Sequence, residues 1–225
     1  YSDSVTLEFA DGSPATQQGN FAVEDFSGMA SLGDDSMGSL TELYIAYFNR
    51  APDATGLSFW GDKLAQGMTM REIAGYFFDQ PEPRALYGED INLAKFVSSV
   101  YNNVFGRDAD TAGFNFWTGQ LASGNVTEST FIVDLLAGAR ASTGDPDDVA
   151  YVDAKTDIGL YFAVIQGQNN TDDATDVMDT FNGTTESMMD AVSLSDTTLA
   201  EAIDSSTELL LPVVGVIDSP FISVA

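Results

Sequence analysis

The sequence predicts a mainly α-helical protein: a duplicated helical repeat bundle with extended or short β segments at its two ends. Three observations carry this. Apolar residues recur at helical spacing from Ser39 to about Ile203, a 24-residue stretch occurs twice, and both ends lose the helical period. The chain accordingly divides into an N-terminal arm or strand over 1–38, a helical domain over 39–206, and an apolar extended segment over 207–225.

In the arm, "VTLEF" at 5–9 alternates Val5, Leu7 and Phe9 with polar residues, the period of a half-buried strand. Glycine, serine and aspartate dominate the rest of the arm and read as loop. Leu40, Leu43, Tyr44, Tyr47 and Phe48 then form one apolar helical face, with Ser39 and Glu42 at capping-box spacing in front of it. A second helix carries Leu57, Trp60 and Leu64. A third, opened by Thr69 and Glu72, carries Ile73, Tyr76 and Phe77. Two prolines in "DQPEPRALYGED" interrupt the period.

The next helices follow Phe96, Val97, Val100, Tyr101 and Val104, then Trp117 and Leu121, then Phe131, Ile132, Leu135 and Leu136. "STGDPDD" at 142–148 reads as loop. Beyond it come stripes at Ile158, Tyr161, Phe162 and Ile165, and at Ala174, Val177, Met178 and Phe181. One or two weaker helices follow over Met188–Ile203. Pro212, Gly215 and Pro220 break the β-branched tail, so it forms two short strands or an extended docked segment.

Charge narrows the partners. The chain holds 35 acidic and 8 basic residues, a net charge of −27. A polyanion of this size is repelled by nucleic acid and by anionic lipid headgroups. All eight basic residues lie between Arg50 and Lys155, so internal ion pairing is expected within 39–166. No apolar run is long enough to span a membrane. Cysteine and histidine are absent. That leaves no thiolate or imidazole for catalysis and none of the usual zinc or haem ligands. Lys63, Lys95 and Lys155 lack a Ser-x-x-Lys context, and the acid pairs fall in loops. The expectation is a protein that is not an enzyme.

The duplication aligns "YIAYFNRAPDATGLSFWGDKLAQG" (44–67) with "YNNVFGRDADTAGFNFWTGQLASG" (101–124) without a gap. Tyr44, Phe48, Arg50, Asp53, Gly56, Phe59, Trp60, Leu64 and Gly67 recur as Tyr101, Phe105, Arg107, Asp110, Gly113, Phe116, Trp117, Leu121 and Gly124. Asp108, Asp110 and Gly113 have EF-hand-like intervals. However, the fifth and twelfth loop positions are Ala112 and Gly119, where calcium needs oxygen ligands, and the sister copy has Ala51 in place of Asp108. The EF-hand reading fails, leaving Asp108 and Asp110 as weak metal candidates.

A structural role fits what recurs. Asp53 and Asp110 cap helices. Gly56 and Gly113 admit a close backbone neighbour, and Trp60 and Trp117 anchor the helices. Arg50 and Arg107 bind terminal carbonyls or pair with an acid.

These repeats resemble a bacterial family known as domain of unknown function 4214, whose core reads Gly-Arg-x-Pro-Asp-x-x-Gly-x-x-x-Trp. "AKTDIGLYFAVIQG" at 154–167 resembles a helix that often follows such repeats, so the likeness covers about 39–167. Asn49 stands for the family's glycine and Ala109 for its proline. The resemblance implies a helical, secreted, extracellular or cell-surface protein of a Gram-negative bacterium, akin to the helical cell-anchoring parts of surface-layer proteins. It brings no catalytic residues. The family often neighbours calcium-binding repeats, which are absent here.

"DSPFISVA" at the chain's end resembles a type I secretion signal. The function expected is a non-catalytic exported structural protein that self-assembles or packs on the cell surface, as a surface layer or extracellular filament. Copies of itself, met through the terminal segments, are the expected partners. The alternative is a secreted adhesin binding cell-surface polysaccharide, with calcium as the one cofactor in view.

Overall fold

The computed structural model describes residues 28, 31–87, 92–142, 144–206, 208–213 and 221. Among them run α1 (Asp34–Phe48), α2 (Ala54–Ala65), α3 (Met70–Phe78), α4 (Pro81–Tyr87), α5 (Leu93–Phe105), α6 (Thr111–Ala122), α7 (Glu128–Ala139) and α8 (Pro146–Leu160). A π-helical turn (Tyr161–Ile165), α9 (Thr171–Thr180) and α10 (Thr185–Ser205) complete the order. No strand occurs among the described residues. The "VTLEF" strand and most of the tail lie outside them.

The duplication extends beyond the matched stretch. Helices α1–α2–α3 and α5–α6–α7 are equivalent triplets, and the two triplets meet mainly through α3 against α7 and α1 against α5. The seam is aromatic and aliphatic. Phe96 is the hub, in edge contact with Phe78 of the first triplet (6.2 Å), with Tyr87 of α4 (4.9 Å) and with Phe131 of its own triplet (5.4 Å). Within the first triplet, Tyr44 meets Phe77 edge-on at 4.8 Å. Such pairs contribute about 0.5–1.5 kcal/mol each beyond their buried area. Helix α8 crosses behind α1 and α5. A second core forms around Phe162, Val177, Met178 and Ala191, joining α8, α9 and α10.

Several expectations change. Helix α1 begins at Asp34 after Gly33, which supplies no side-chain cap, so Ser39 and Glu42 form no capping box. The Ser39 hydroxyl instead donates to Asp35 O at 2.8 Å inside the helix, and Glu42 pairs with Arg140. Thr69 and Glu72 do form the predicted box. Pro81 and Pro83 start α4 rather than ending a helix, because a first-turn proline sacrifices no intrahelical bond. Helix α8 begins at Pro146, inside the predicted loop, capped by Asp145. Met188–Ile203 falls within one helix, α10.

Residues 208–213 are extended and docked. The Leu211 N–H donates to Gly167 O (2.8 Å) and the Val213 N–H to Val164 O (2.9 Å). Val164 lies in the last turn of the π segment, where the terminal carbonyls have no intrahelical partner and are free for an outside donor.

Candidate functional site

The duplicated motif builds the same small device twice. Each copy starts where a helix ends in the left-handed region, at Asn49 (φ 51°) after α1 and at Gly106 (φ 64°) after α5. Asparagine tolerates this conformation nearly as well as glycine, which explains its place in the first copy.

The next residue but zero is the recurring arginine. Arg50 Nε and Nη2 donate to the two carboxylate oxygens of Glu82 at 3.0 and 3.4 Å, and its Nη1 donates to Ala51 O at 2.9 Å. Arg107 Nε and Nη2 donate to Asp148 at 2.6 Å each, and its Nη1 donates to Asp108 O at 3.0 Å. Each guanidinium also covers two rings, Tyr44 and Phe48 at 5.4 and 5.2 Å, Tyr101 and Phe105 at 5.6 and 5.9 Å. A planar fork bonded on its edge and stacked on its face cannot be replaced by lysine. The hydrogen bond to Asp148 raises the Arg107 pKa further.

Asp53 and Asp110 cap α2 and α6 as expected. Their Oδ1 atoms accept from Gly56 N at 2.7 Å and Gly113 N at 2.8 Å. The bond from Gly113 N holds the Asp110 carboxyl below the usual carboxylate range. The glycines admit a side chain rather than the backbone expected. A Cβ on Gly56 would strike the Tyr44 hydroxyl, and one on Gly113 would come within 2.7 Å of the Tyr101 hydroxyl. So the recurring tyrosine and glycine are two halves of one contact. Burial pushes the Tyr101 hydroxyl upward, opposed by a bond from the Trp117 side chain and by Arg107.

The tryptophans anchor each second helix to the third. Trp60 meets Phe77 at 5.3 Å and Tyr76 at 5.7 Å, and Trp117 meets Phe131 at 5.2 Å. On the outer edge of each indole stands a recurring phenylalanine, Phe59 at 5.0 Å and Phe116 at 4.9 Å. These are 51% and 55% exposed, so the duplicated aromatic pair has one face in the core and one in solvent.

The metal candidates are engaged otherwise. Asp108 Oδ1 accepts from Asn102 Nδ2 at 3.0 Å, and Asp110 serves as the cap. Among the described residues no group of three or more ligating side chains converges. Acids do converge loosely elsewhere: Asp173, Glu201, Asp204 and Glu208 line an open cleft of about 580 Å³. There burial, then the neighbouring carboxylates, pushes the Asp173 carboxyl up.

Three participants escaped the sequence reading. Glu82 and Asp148, the arginines' partners, lie 32 and 41 residues downstream at unequal spacing. The available signal was an acid in the first turn of a proline-started helix in each case. The third is Lys155, which is buried and donates its Nζ to Asn103 O at 2.9 Å. Its ammonium lies against the last turn of α5, where terminal carbonyls favour a cation.

This geometry defines a helical fold built on a duplicated arginine–aspartate–glycine–tryptophan device. Residues 74–139, from within α3 to the end of α7, match the family model described as Domain of unknown function (DUF4214). Comparison with curated proteins and with solved structures gives no match. No described helix is long and apolar enough to cross a membrane.

Proposed function

We propose that this is a non-catalytic exported structural protein of a Gram-negative bacterium, which assembles with copies of itself at or near the cell surface, as a surface layer or extracellular filament. One observation carries the reading. The recurring polar residues of both motif copies are bonded within the chain, while the recurring Phe59 and Phe116 project outward. The motif thus spends its polar chemistry on holding helices and offers aromatic surface to a partner. Support for the exterior location comes from the acidic, cysteine-free composition.

Copies carrying −27 charges repel one another, so association needs screening by salt or bridging by a divalent cation such as calcium. Light scattering behind size exclusion, at rising protein concentration in high salt with and without calcium, tests this. Concentration-dependent assembly is expected, and a monomer under every condition refutes it. A melting temperature unmoved by millimolar calcium would remove the bridging ion from the scheme.

A second reading, a glycan-binding adhesin, draws on Tyr76. Its ring is 52% exposed and tilted by 34° from Trp60, so with Phe59 it forms an accessible aromatic platform. Polysaccharide binding by a strict monomer would favour it.

A further inference from the structure

The two motif helices carry the same residues but different cover. In α2, the residues Ala54, Leu57, Ser58, Gly61 and Asp62 are buried. The turn after the π segment lies over this helix's start. The Ala54 N–H donates to Gln168 O at 2.9 Å, and the Thr55 N–H and hydroxyl both donate to Asn169 Oδ1 at 2.7 Å. The equivalent positions of α6 are Thr111, Phe114, Asn115, Thr118 and Gly119, and none is buried. Leu121 is the one buried residue of α6.

Beside that uncovered face runs a stripe of exposed residues at helical spacing: Ala112, Asn115, Phe116, Gly119, Ala122 and Ser123. Phe116 is its one large side chain. A Cβ on Gly119 would meet nothing within 4 Å, so the middle of the stripe is open to solvent. The stripe is also electrically distinct. From Thr111 to Thr127 there is no charged residue, in a chain that carries 35 acids and 8 bases.

We propose that this face of α6 is buried against the same face of a second copy, in a two-fold pair. The inference rests on the self-association reading and names its surface. Charge selects the occupant. Two copies at −27 repel wherever acids face each other, and this accessible uncharged helix lets them approach without burying unpaired carboxylates. The small residues let two helix axes come close, and Phe116 supplies the aromatic anchor that dominates such contacts. On a two-fold axis the same residues face themselves, which an uncharged stripe permits and a single-sign one does not.

The test uses the whole chain in high salt, by sedimentation equilibrium, on the wild type, Phe116→Glu and, as a control at an exposed apolar residue of α10, Met189→Glu. The wild type is expected to associate, Met189→Glu to match it, and Phe116→Glu to weaken association by roughly tenfold or more. Because the chain has no cysteine, Asn115→Cys adds a direct reading: mild oxidation should give a disulfide-linked dimer. Circular dichroism melting checks that the variants fold, and Gly119→Asp, which projects into open space, replaces Phe116→Glu if that variant unfolds. Unchanged association of the charged α6 variant, with no cross-linked dimer, overturns this surface while leaving self-assembly standing. A wild type that stays monomeric, including one that binds a glycan as a monomer, overturns both.

Discussion

Replacing Lys155 with methionine should change how the protein's stability depends on pH, with a sign opposite to that of most ion pairs. Lys155 is 4% exposed, and burial pulls its ammonium from 10.5 down to about 8, against the opposing pull of the Asp179 carboxylate. A lysine depressed in the fold binds fewer protons folded than unfolded between pH 8 and 10.5. Stability must therefore rise with pH through that window. At pH 7 the depression corresponds to about 3 kcal/mol of cost to the charged form. Raising the pH from 7 to 9 should relieve about 1.4 kcal/mol of it. For a chain of this size that is roughly 3–6 °C in melting temperature.

Urea unfolding followed by circular dichroism at pH 7, 8, 8.5 and 9 measures the slope. The series stops at 9 because burial pushes Tyr47 and Tyr87 upward, as it does Tyr44, Tyr101, Tyr151 and Tyr161. Their ionisation in the unfolded chain lowers stability by about 0.4 kcal/mol each by pH 10 and by less than about 0.1 at pH 9. Lys155→Met removes the buried charge but leaves Asn103 O without its donor, so its stability at pH 7 should lie close to the wild type's. Its slope between pH 7 and 9 should be nearly flat. A wild type that is flat or falling over this range, or a variant with the same rising slope, would refute the assignment of a charged, buried Lys155.

The motif contacts give two further tests. Gly113→Ala should destabilise by about 1–3 kcal/mol in spite of alanine's better helix propensity, because the new methyl meets the Tyr101 hydroxyl; adding Tyr101→Phe should recover much of the loss in a double-mutant cycle by chemical denaturation. Asp53→Ala should cost about 1 kcal/mol through the lost cap on Gly56 N, and Asp53→Asn much less, read from the shift in urea midpoint.

How far this molecule can be read from its sequence depends on whether the deciding contact is local. Thr69 with Glu72 and Ser39 with Glu42 have identical spacing, yet only the first pair caps a helix. Met37 and Leu40 are both fully buried, so the apolar face that drives α1 continues upstream of Ser39 and carries the helix with it. Spacing alone cannot register that. The caps at Asp53 and Asp110 were legible because a carboxylate three residues before a glycine N–H closes its bond within one turn. The arginines' partners were not. Glu82 and Asp148 reach them through the packing of α4 and α8, elements of unlike length that sit at unequal distances from the two copies. The tyrosine–glycine contact was half legible: the repeat exposed both residues, but only the fold shows that the hydroxyl of one fills the space left by the other.

The duplication also dictates where the two halves must differ. One turn, at Gln168–Asn169, lies over the start of α2, and a single turn cannot also cover α6. A second motif helix that the described residues leave open has two physical solutions. Charges can solubilise its open face, or a partner can bury it. Helix α2 carries Asp62 and Lys63, whereas the equivalent positions of α6 are Gly119 and Gln120, in a segment with no charge at all. A chain with 35 acidic residues elsewhere has left uncharged the motif helix that no other element covers among the described residues, and it has kept Phe116 exposed there. Solubility alone would favour acids at those positions. Their absence is what a face reserved for contact requires.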